Sequence, residues 1–364
     1  MSDQTTTSAF YASRPILSLD GQDNTSLTNG LLSLLVEEST AGLYRCELNF
    51  GNWGTTNGGT GFLYFDRSIL DFGKTIKVRI GEDDAAAEIF DGRIMGIEAK
   101  YVKDRPPEVA VLAEDRFQDL RMTRRTRTFE DLSDSDVMQE LASQHSLQQE
   151  IDIDGPTTHR VLAQVNQSDL AFLRERARAV DAEVWVESNT LHAQARGRRQ
   201  HEDVTLTFGQ RLQEFSVLAD LAEQCTSLTV SGWNVDAKAG IEHEADETTI
   251  RSELNGDQSG SSLLQSAIGE RKDQLVHTLP LTDEEAQFMA QASYRQACRR
   301  FITGTGVSEG DGRIRVGTYV ELAGLGPLFN GKYYVSSVCH TFDGVNGNGY
   351  RTRFKVERPG IGQG

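Results

Sequence analysis

Two stretches of this chain, one in the first third and one at the end, follow the same order of turn and strand chemistry. In the first, Phe72-Gly73-Lys74 leads into the alternating run Ile76 to Ile80. Ile89-Phe90-Asp91-Gly92-Arg93 turns into another strand, and Val109-Ala110-Val111-Leu112 closes the set. In the second, Val316-Gly317-Thr318 leads into Val320 to Leu322. Leu328-Phe329-Asn330-Gly331-Lys332 turns into Tyr333 to Val338, and Arg353-Phe354-Lys355-Val356 closes. Asp-Gly and Asn-Gly steps suit tight hairpins because both residues tolerate positive φ, and the Phe before each can pin the turn to a core. Upstream, Cys46-Glu47-Leu48-Asn49-Phe50-Gly51-Asn52-Trp53 is echoed by Ser227-Leu228-Thr229-Val230-Ser231-Gly232-Trp233. Two β meanders can share glycines and turns by chance. If the likeness is a repeat, one chain carries two similar β modules, the second interrupted by residues 234–304.

Between the two stretches the pattern changes. Tyr44, Cys46, Leu48 and Phe50 alternate with polar residues as a half-buried strand does, but near Asp115 helical spacing begins. Ser133 caps a helix with Asp134 and Asp136 in its first turn and Val137, Met138, Leu141 and Ala142 on its apolar side. A second helix fits Ser168 to Val180, and the strand Glu183 to Val186 follows. Residues 236–260 are acidic and polar, and read as a loop or exposed arm. Thr282 and Glu285 have capping-box spacing ahead of a helix that Gly304 can end.

Composition excludes several function classes. Lys and Arg number 37 against 54 Asp and Glu, so the net charge is 37 − 54 = −17, against a specific grip on nucleic acid. No apolar run approaches the ~20 residues of a membrane-spanning helix, and Met1 to Ser13 lacks the charged and apolar blocks of an export signal, which implies folding in the cytoplasm. Cys46, Cys225, Cys298 and Cys339 are too scattered for a metal knuckle or redox motif and read as structural thiols.

No reaction motif stands out. Among His145, His159, His192, His201, His243, His277 and His340, no two have the spacing of a zinc helix. Cys339 and His340 are neighbours on a strand and point to opposite faces, and His340 reads as structural. Gly324-Leu325-Gly326-Pro327 is a turn. Asp152 and Asp154 could serve a cell-wall glycosidase, but Asp-Ile-Asp-Gly before Pro156 is explained by a turn. Two basic clusters, Arg121, Arg124, Arg125 and Arg127, and Arg196, Arg198 and Arg199, bracket the helical segment. They face either acidic neighbours in an assembly or solvent. The net negative charge could line a channel that must not bind an acidic cargo, or could cover an outer surface. No catalytic, cofactor-binding or metal residue is assigned, and no cofactor is expected.

The chain resembles the hub proteins of contractile injection machines, a family that includes phage late control protein D, the VgrG proteins and the spike hubs of extracellular particles. The residues that carry the resemblance are Glu114-Asp115-Arg116-Phe117-Gln118-Asp119-Leu120-Arg121-Met122-Thr123, Val165-Asn166-Gln167-Ser168-Asp169-Leu170-Ala171-Phe172-Leu173, Val230-Ser231-Gly232-Trp233-Asn234-Val235 and Phe329-Asn330-Gly331-Lys332-Tyr333-Tyr334-Val335, with His340 and Tyr350-Arg351-Thr352. They run in the family's order. The resemblance implies a mainly β chain with an α+β insertion: two tube-like antiparallel β-barrel domains related by internal duplication.

Its expected layout is an N-terminal extension (1–29), a first barrel (30–115), an α+β domain (116–200), a second barrel (201–235 and 305–358) interrupted by an acidic arm and helix (236–304), and a Gly-rich tail (359–364). It further implies a homotrimer, a structural and non-enzymatic baseplate component of a phage tail or injection particle. Its partners would be a spike protein below, a tail tube or tube-initiator protein above and other inner baseplate proteins. VgrG chains continue into a needle, whereas this sequence stops at Gly364. A carbohydrate-active tail enzyme is the alternative function.

Overall fold

The computed structural model describes residues 14–363 except 57, 82–85, 157, 200–201, 236, 277–279 and 347–348. The first module is built from β1 (Ile16–Leu19), helix α1 (Thr25–Gly30), β2 (Leu31–Ser39), β3 (Arg45–Gly51), β4 (Thr75–Ile80), β5 (Ala87–Lys100) and β6 (Glu108–Glu114). Alternation puts Val36, Cys46, Leu48, Phe50, Ile76, Val78, Val109 and Val111 into one core. Leu17 and Leu27 are fully buried in the same core, and β1 pairs with β4. Residues 14–29 are therefore part of the module, and the extension expected for 1–29 is otherwise outside the described residues.

An α+β unit follows: α2 (Phe117–Arg121), β7 (Arg124–Leu132), α3 (Asp134–Gln144), β8 (Gln148–Asp152), β9 (His159–Ser168), α4 (Asp169–Ala179), β10 (Ala182–Glu187) and β11 (Thr190–Ala195). The helix starts are those the sequence signals. Ser133 and Asp136 form a reciprocal capping box, and the Ser168 hydroxyl accepts the N–H of Ala171. The helices cover a core of Val137, Met138, Leu141, Phe172 and Leu173.

The remainder comprises β12 (Val204–Thr207), β13 (Leu212–Ala219), β14 (Ser227–Asn234), β15 (Ala239–Asp246), α5 (Gly260–Ala267), β16 (Lys272–Leu275), α6 (Asp283–Arg299), β17 (Ile302–Glu309), β18 (Tyr319–Ala323), β19 (Gly331–Asp343) and β20 (Gly349–Arg358). Two expectations are corrected here. The acidic stretch after residue 236 is not an open arm, because β14, β15 and β16 form a sheet under α6 with its own core of Val230, Ile241, Ile250, Ala290 and Tyr294. Residues 227–234 accordingly leave the second β module. The end of the chain is not a loose tail either, since Gly360 and Ile361 pair with Ser259 and Gln258.

The mainly antiparallel β class holds, with the two modules fused edge to edge in one 13-stranded sheet. Its order is β13-β17-β20-β19-β2-β3-β6-β5-β4-β1, with the two-residue strand Gln22–Asp23 beyond β1, β18 pairing β19 and β12 pairing β18. The first module is thus ordered β2-β3-β6-β5-β4 and the second β13-β17-β20-β19-β18, the same path in the same chain order.

The match extends to register. A bulge lies between Leu31 and Ser33 on β2 and between Leu212 and Glu214 on β13. Another lies between Ile94 and Gly96 on β5 and between Val335 and Ser337 on β19. Bulges re-aim a strand and insert one unpaired residue, so two coincident bulges constrain the superposition tightly. The Gly73 N–H donates to Ile94 O as the Gly317 N–H does to Val335 O, and both glycines have positive φ.

That register corrects the sequence alignment in two places. The partner of β3 is β17, not residues 227–233. Asp91-Gly92 is no turn but lies within β5, opposite Lys77 and Ile76. Gly92 corresponds to Tyr333, two residues from Gly331, and glycine is needed there for close approach: a Cβ would lie 2.4 Å from the carbonyl oxygen of Glu114. Gly331 does follow a turn, at residues 327–329, and opens β19 with φ of +130°.

Candidate assembly interface

The join between modules is a strand pair, with residues 33–39 of β2 running antiparallel to 337–343 of β19. Period-two burial on β2 directs Leu34, Val36 and Glu38 inward, so Glu38 is a carboxylate in a core position, only 2 % exposed. Arg315, on the loop before β18, pairs with it. The backbone N–H of Val316 donates to the other carboxylate oxygen at 3.1 Å, and Arg315 Nη1 donates to the carbonyl of Glu88 at 2.7 Å. One ion pair thus clamps the second module to two strands of the first. Beneath it, His340 is fully buried. Its Nδ1 lies 2.7 Å from the Tyr350 hydroxyl, and burial plus the nearby Arg315 charge push its pKa down to about 3, which makes it a neutral residue of the core.

The α+β unit is anchored on the same junction. Glu183 on β10 accepts from Arg199 Nη1 at 3.1 Å, from Arg196 Nε at 3.3 Å and from the Tyr334 hydroxyl at 2.5 Å. Burial would raise its pKa, but the two guanidinium groups outweigh that and leave it lowered. Arg199 also donates to the Tyr44 hydroxyl and stacks over Trp185, and Arg196 pairs with Glu357. The ion pairs of these two arginines are thus made within the chain, with Arg199 buried and Arg196 largely so: they act as internal rivets. Arg198 is surface-exposed and holds Asp152 Oδ1 at 2.9 Å and Asp154 Oδ1 at 2.8 Å. Both carboxylates expected of a glycosidase are thus tied to one guanidinium at the surface, without the apolar pocket that keeps a catalytic acid protonated.

The first basic cluster divides. Arg121 pairs with Glu114, while Arg125 and Arg127 reach the buried Asp169 at 3.1 and 2.8 Å. Arg124 is exposed and has no ion pair among the described residues. The face of the first module turned away from its core is not an acidic wall, because Glu37 pairs with Arg45, and Glu47 and Glu98 with Lys100. The four cysteines are unpaired, Cys46, Cys225 and Cys298 buried and Cys339 partly so, and burial raises the Cys225 and Cys298 thiols to about 11 and 12. Gly324 and Gly326 both have positive φ, which bears out the turn. No described group of His, Cys, Asp and Glu could hold a metal ion, and no helix among the described residues is long and apolar enough to cross a membrane.

A cluster that sequence reasoning passed over joins the α+β unit to α6. His159 Nε2 contacts Asp134 Oδ2 at 2.8 Å and Nδ1 contacts Glu285 Oε1 at 2.6 Å, while Arg176 Nε donates to Asp134 Oδ1 at 2.6 Å. Burial would lower the His159 pKa, but the two carboxylates outweigh it and raise it to about 9. The only advance signal was the capping-box spacing of Glu285, whose Oε2 accepts from Leu281 N–H while Oε1 takes the imidazole. His201 and His277 lie outside the described residues.

Residues 51–343, from the end of β3 to the end of β19, match the family model described as the Alg8 N-terminal domain. The chain belongs to the Alg8 N-terminal domain family. No curated protein matches its sequence. In fold, this Alg8 N-terminal-domain protein is similar to the 43 kDa tail protein of prophage MuSo2 from Shewanella oneidensis, with TM-score 0.68 at 13 % identity over 96 % of this chain and 99 % of that one. It is similar also to a tail protein from Neisseria meningitidis MC58, with TM-score 0.65 at 11 % identity over 97 % and 98 % of the two chains. A chain of the Francisella PdpA–VgrG complex matches with TM-score 0.55 at 8 % identity, over 97 % of this chain and 59 % of that one. The fold is that of phage tail proteins, and the Alg8 N-terminal-domain match covers β4 to β19, with β1 to β3 of the first module and β20 of the second lying outside it.

Proposed function

We propose that this protein is the structural hub of a contractile injection machine: a homotrimer of duplicated β modules that fits a threefold spike to a sixfold tail tube. The observation that carries the reading is the pair of modules with one strand order, one register and coincident bulges, already joined side by side in a single chain. Three chains then present six near-equivalent modules, and a head-to-tail contact whose rotation closes makes a ring. The folds of the Shewanella and Neisseria tail proteins support it. The role is mechanical rather than catalytic, and the partners are a spike, a tail tube or its initiator and other baseplate proteins.

The test is electron microscopy of the purified chain, alone and with its particle components. A threefold outline with a six-lobed rim around an open centre is expected. A stable monomer under all these conditions, or a compact dimer without a central opening, refutes the reading.

A further inference from the structure

The internal join shows how one module meets the next. The far half of β19, residues 337–343, keeps β20 on one side and takes β2 on the other. The corresponding stretch by the shared bulge is residues 96–100 of β5 with the two that follow it, 101–102; its strand part has β6 on one side and no partner strand among the described residues on the other. The strand that corresponds to β2 is β13, and its outer side is equally without a ladder among the described residues. Each chain therefore ends in one edge of each kind.

Beside the charges Glu98, Lys100 and Glu214, both edges also expose apolar side chains, which a protected free edge avoids. At the β5 edge Tyr101 is 65 % and Val102 56 % exposed, and at the β13 edge Leu218 is 60 % exposed. Tyr101 also ends a chain of ring contacts, Trp53 to Phe62 at 5.2 Å, Phe62 to Phe65 at 4.9 Å and Phe65 to Tyr101 at 6.5 Å, whose outer members are exposed. Contiguous exposed aromatic surface beside an unpaired strand marks a contact site.

Resting on the hub reading, we infer that β13 of one copy adds antiparallel to the far half of β5 of the next, in the register that β2 and β19 show within the chain. The occupant of each edge is thus a second copy of this chain. The β2–β19 pairs Thr341↔Leu35 and Phe342↔Leu34 are printed on the fold, and the bulges carry them over to Lys100↔Ser216 and Tyr101↔Phe215 between copies. The same register sets Glu98 opposite Leu218 and Val102 opposite Glu214. It brings two aromatic rings together and places Lys100 diagonal to Glu214, both favourable cross-strand arrangements.

Register is read by cross-linking chains that each carry one introduced cysteine in a Cys339→Ser background, since the three cysteines that remain, Cys46, Cys225 and Cys298, are buried. One chain carries Lys100→Cys and a size tag, and the other carries Ser216→Cys. All these positions are on the surface or at an edge, and circular dichroism confirms that each variant folds. Mixed under mild oxidation, the two are expected to give a tagged–untagged disulfide dimer. Lys100→Cys with Leu218→Cys gives at least tenfold less, because a diagonal pair is ~7–8 Å apart at Cα, beyond ordinary disulfide reach. A trimer in sedimentation that fails to cross-link at Lys100→Cys with Ser216→Cys, or that links both pairs equally, overturns the register and leaves the hub reading standing. A chain that stays monomeric overturns both.

Discussion

Raising the pH should unfasten the α+β unit from α6, and the structure fixes where. His159 bridges Asp134 and Glu285 and is held protonated, its pKa raised to about 9. A histidine in the unfolded chain sits near 6.5. A group whose folded pKa is raised contributes stability that is complete below the unfolded value and is lost as the pH climbs through the folded one, here from about 6.5 to about 9. That interval of about 2.5 units, at about 1.4 kcal/mol per unit, is worth about 3 kcal/mol. Burial would raise Asp134 and Glu285, but their bonds to His159 and its neighbours outweigh that and leave both lowered. They stay ionised across this window and add slope only in acid. Urea unfolding of the wild-type chain and of His159→Gln, each at about pH 6.5 and pH 9.5, isolates the effect, because every other titrating group cancels in the difference. The wild type should lose about 3 kcal/mol more than the variant between the two conditions. Equal losses would show that the imidazole is not charged in the folded state, and the reasoning would fail.

Three further outcomes follow from the geometry. Arg315→Met leaves the buried Glu38 carboxylate without its guanidinium and should lower the urea-unfolding free energy by about 3 kcal/mol. Gly92→Ala forces a Cβ against the Glu114 carbonyl and the Phe90 ring and should cost about 1–3 kcal/mol in thermal unfolding, although the residue lies in a strand rather than a turn. Arg125→Glu sets a second negative charge beside the buried Asp169 and should lower the melting temperature by several degrees, whereas Arg124→Glu, with no partner to lose among the described residues, should stay within about 0.5 kcal/mol of wild type.

Much of this was legible in the sequence, and the misses have physical causes. Strands with clean alternation and helices with polar caps declared themselves, because burial period and cap chemistry act locally. The likeness between the two meanders was visible as well, but its alignment rested on Phe-Asp-Gly-Arg and Phe-Asn-Gly-Lys, two motifs that occupy different structural positions. A glycine chosen for close approach and a glycine chosen for positive φ look the same in a sequence. The buried arginines were unreadable for a related reason. Arg196 and Arg199 lie within two residues of Arg198, and only the fold brings Glu183, Glu357, Tyr44 and Tyr334 to the first two. Glu38 could have been found: it continues the inward series Leu34, Val36, and a carboxylate in such a series needs a partner. His159 could not, since its two carboxylates are 25 and 126 residues away.

A ring of near-equivalent modules has a problem of choice, and the Glu38–Arg315 pair addresses it. The modules correspond position by position, so Glu38 on β2 matches Ala219 on β13, and Arg315 before β18 matches Asp71 before β4. A chain whose β19 edge captured β13 of another copy would set Arg315 against an alanine. A β5 edge that captured β2 would bring Glu38 toward Asp71, a like charge. Both mistakes leave a desolvated charge uncompensated, which costs far more than a surface pair gains.

The pair therefore selects which edges meet as well as holding its own join. Removing both charges while keeping bulk, as Glu38→Gln with Arg315→Met, should spare much of the stability that Arg315→Met alone loses, since no charge is left buried. It should also permit the wrong join. In the register above, β5 on β2 sets Lys100 opposite Leu35, so a disulfide between copies carrying Lys100→Cys and Leu35→Cys is expected in the charge-free background and not in the native one. A charge-free chain that folds, assembles and still shows no such cross-link would mean that shape alone chooses the edges.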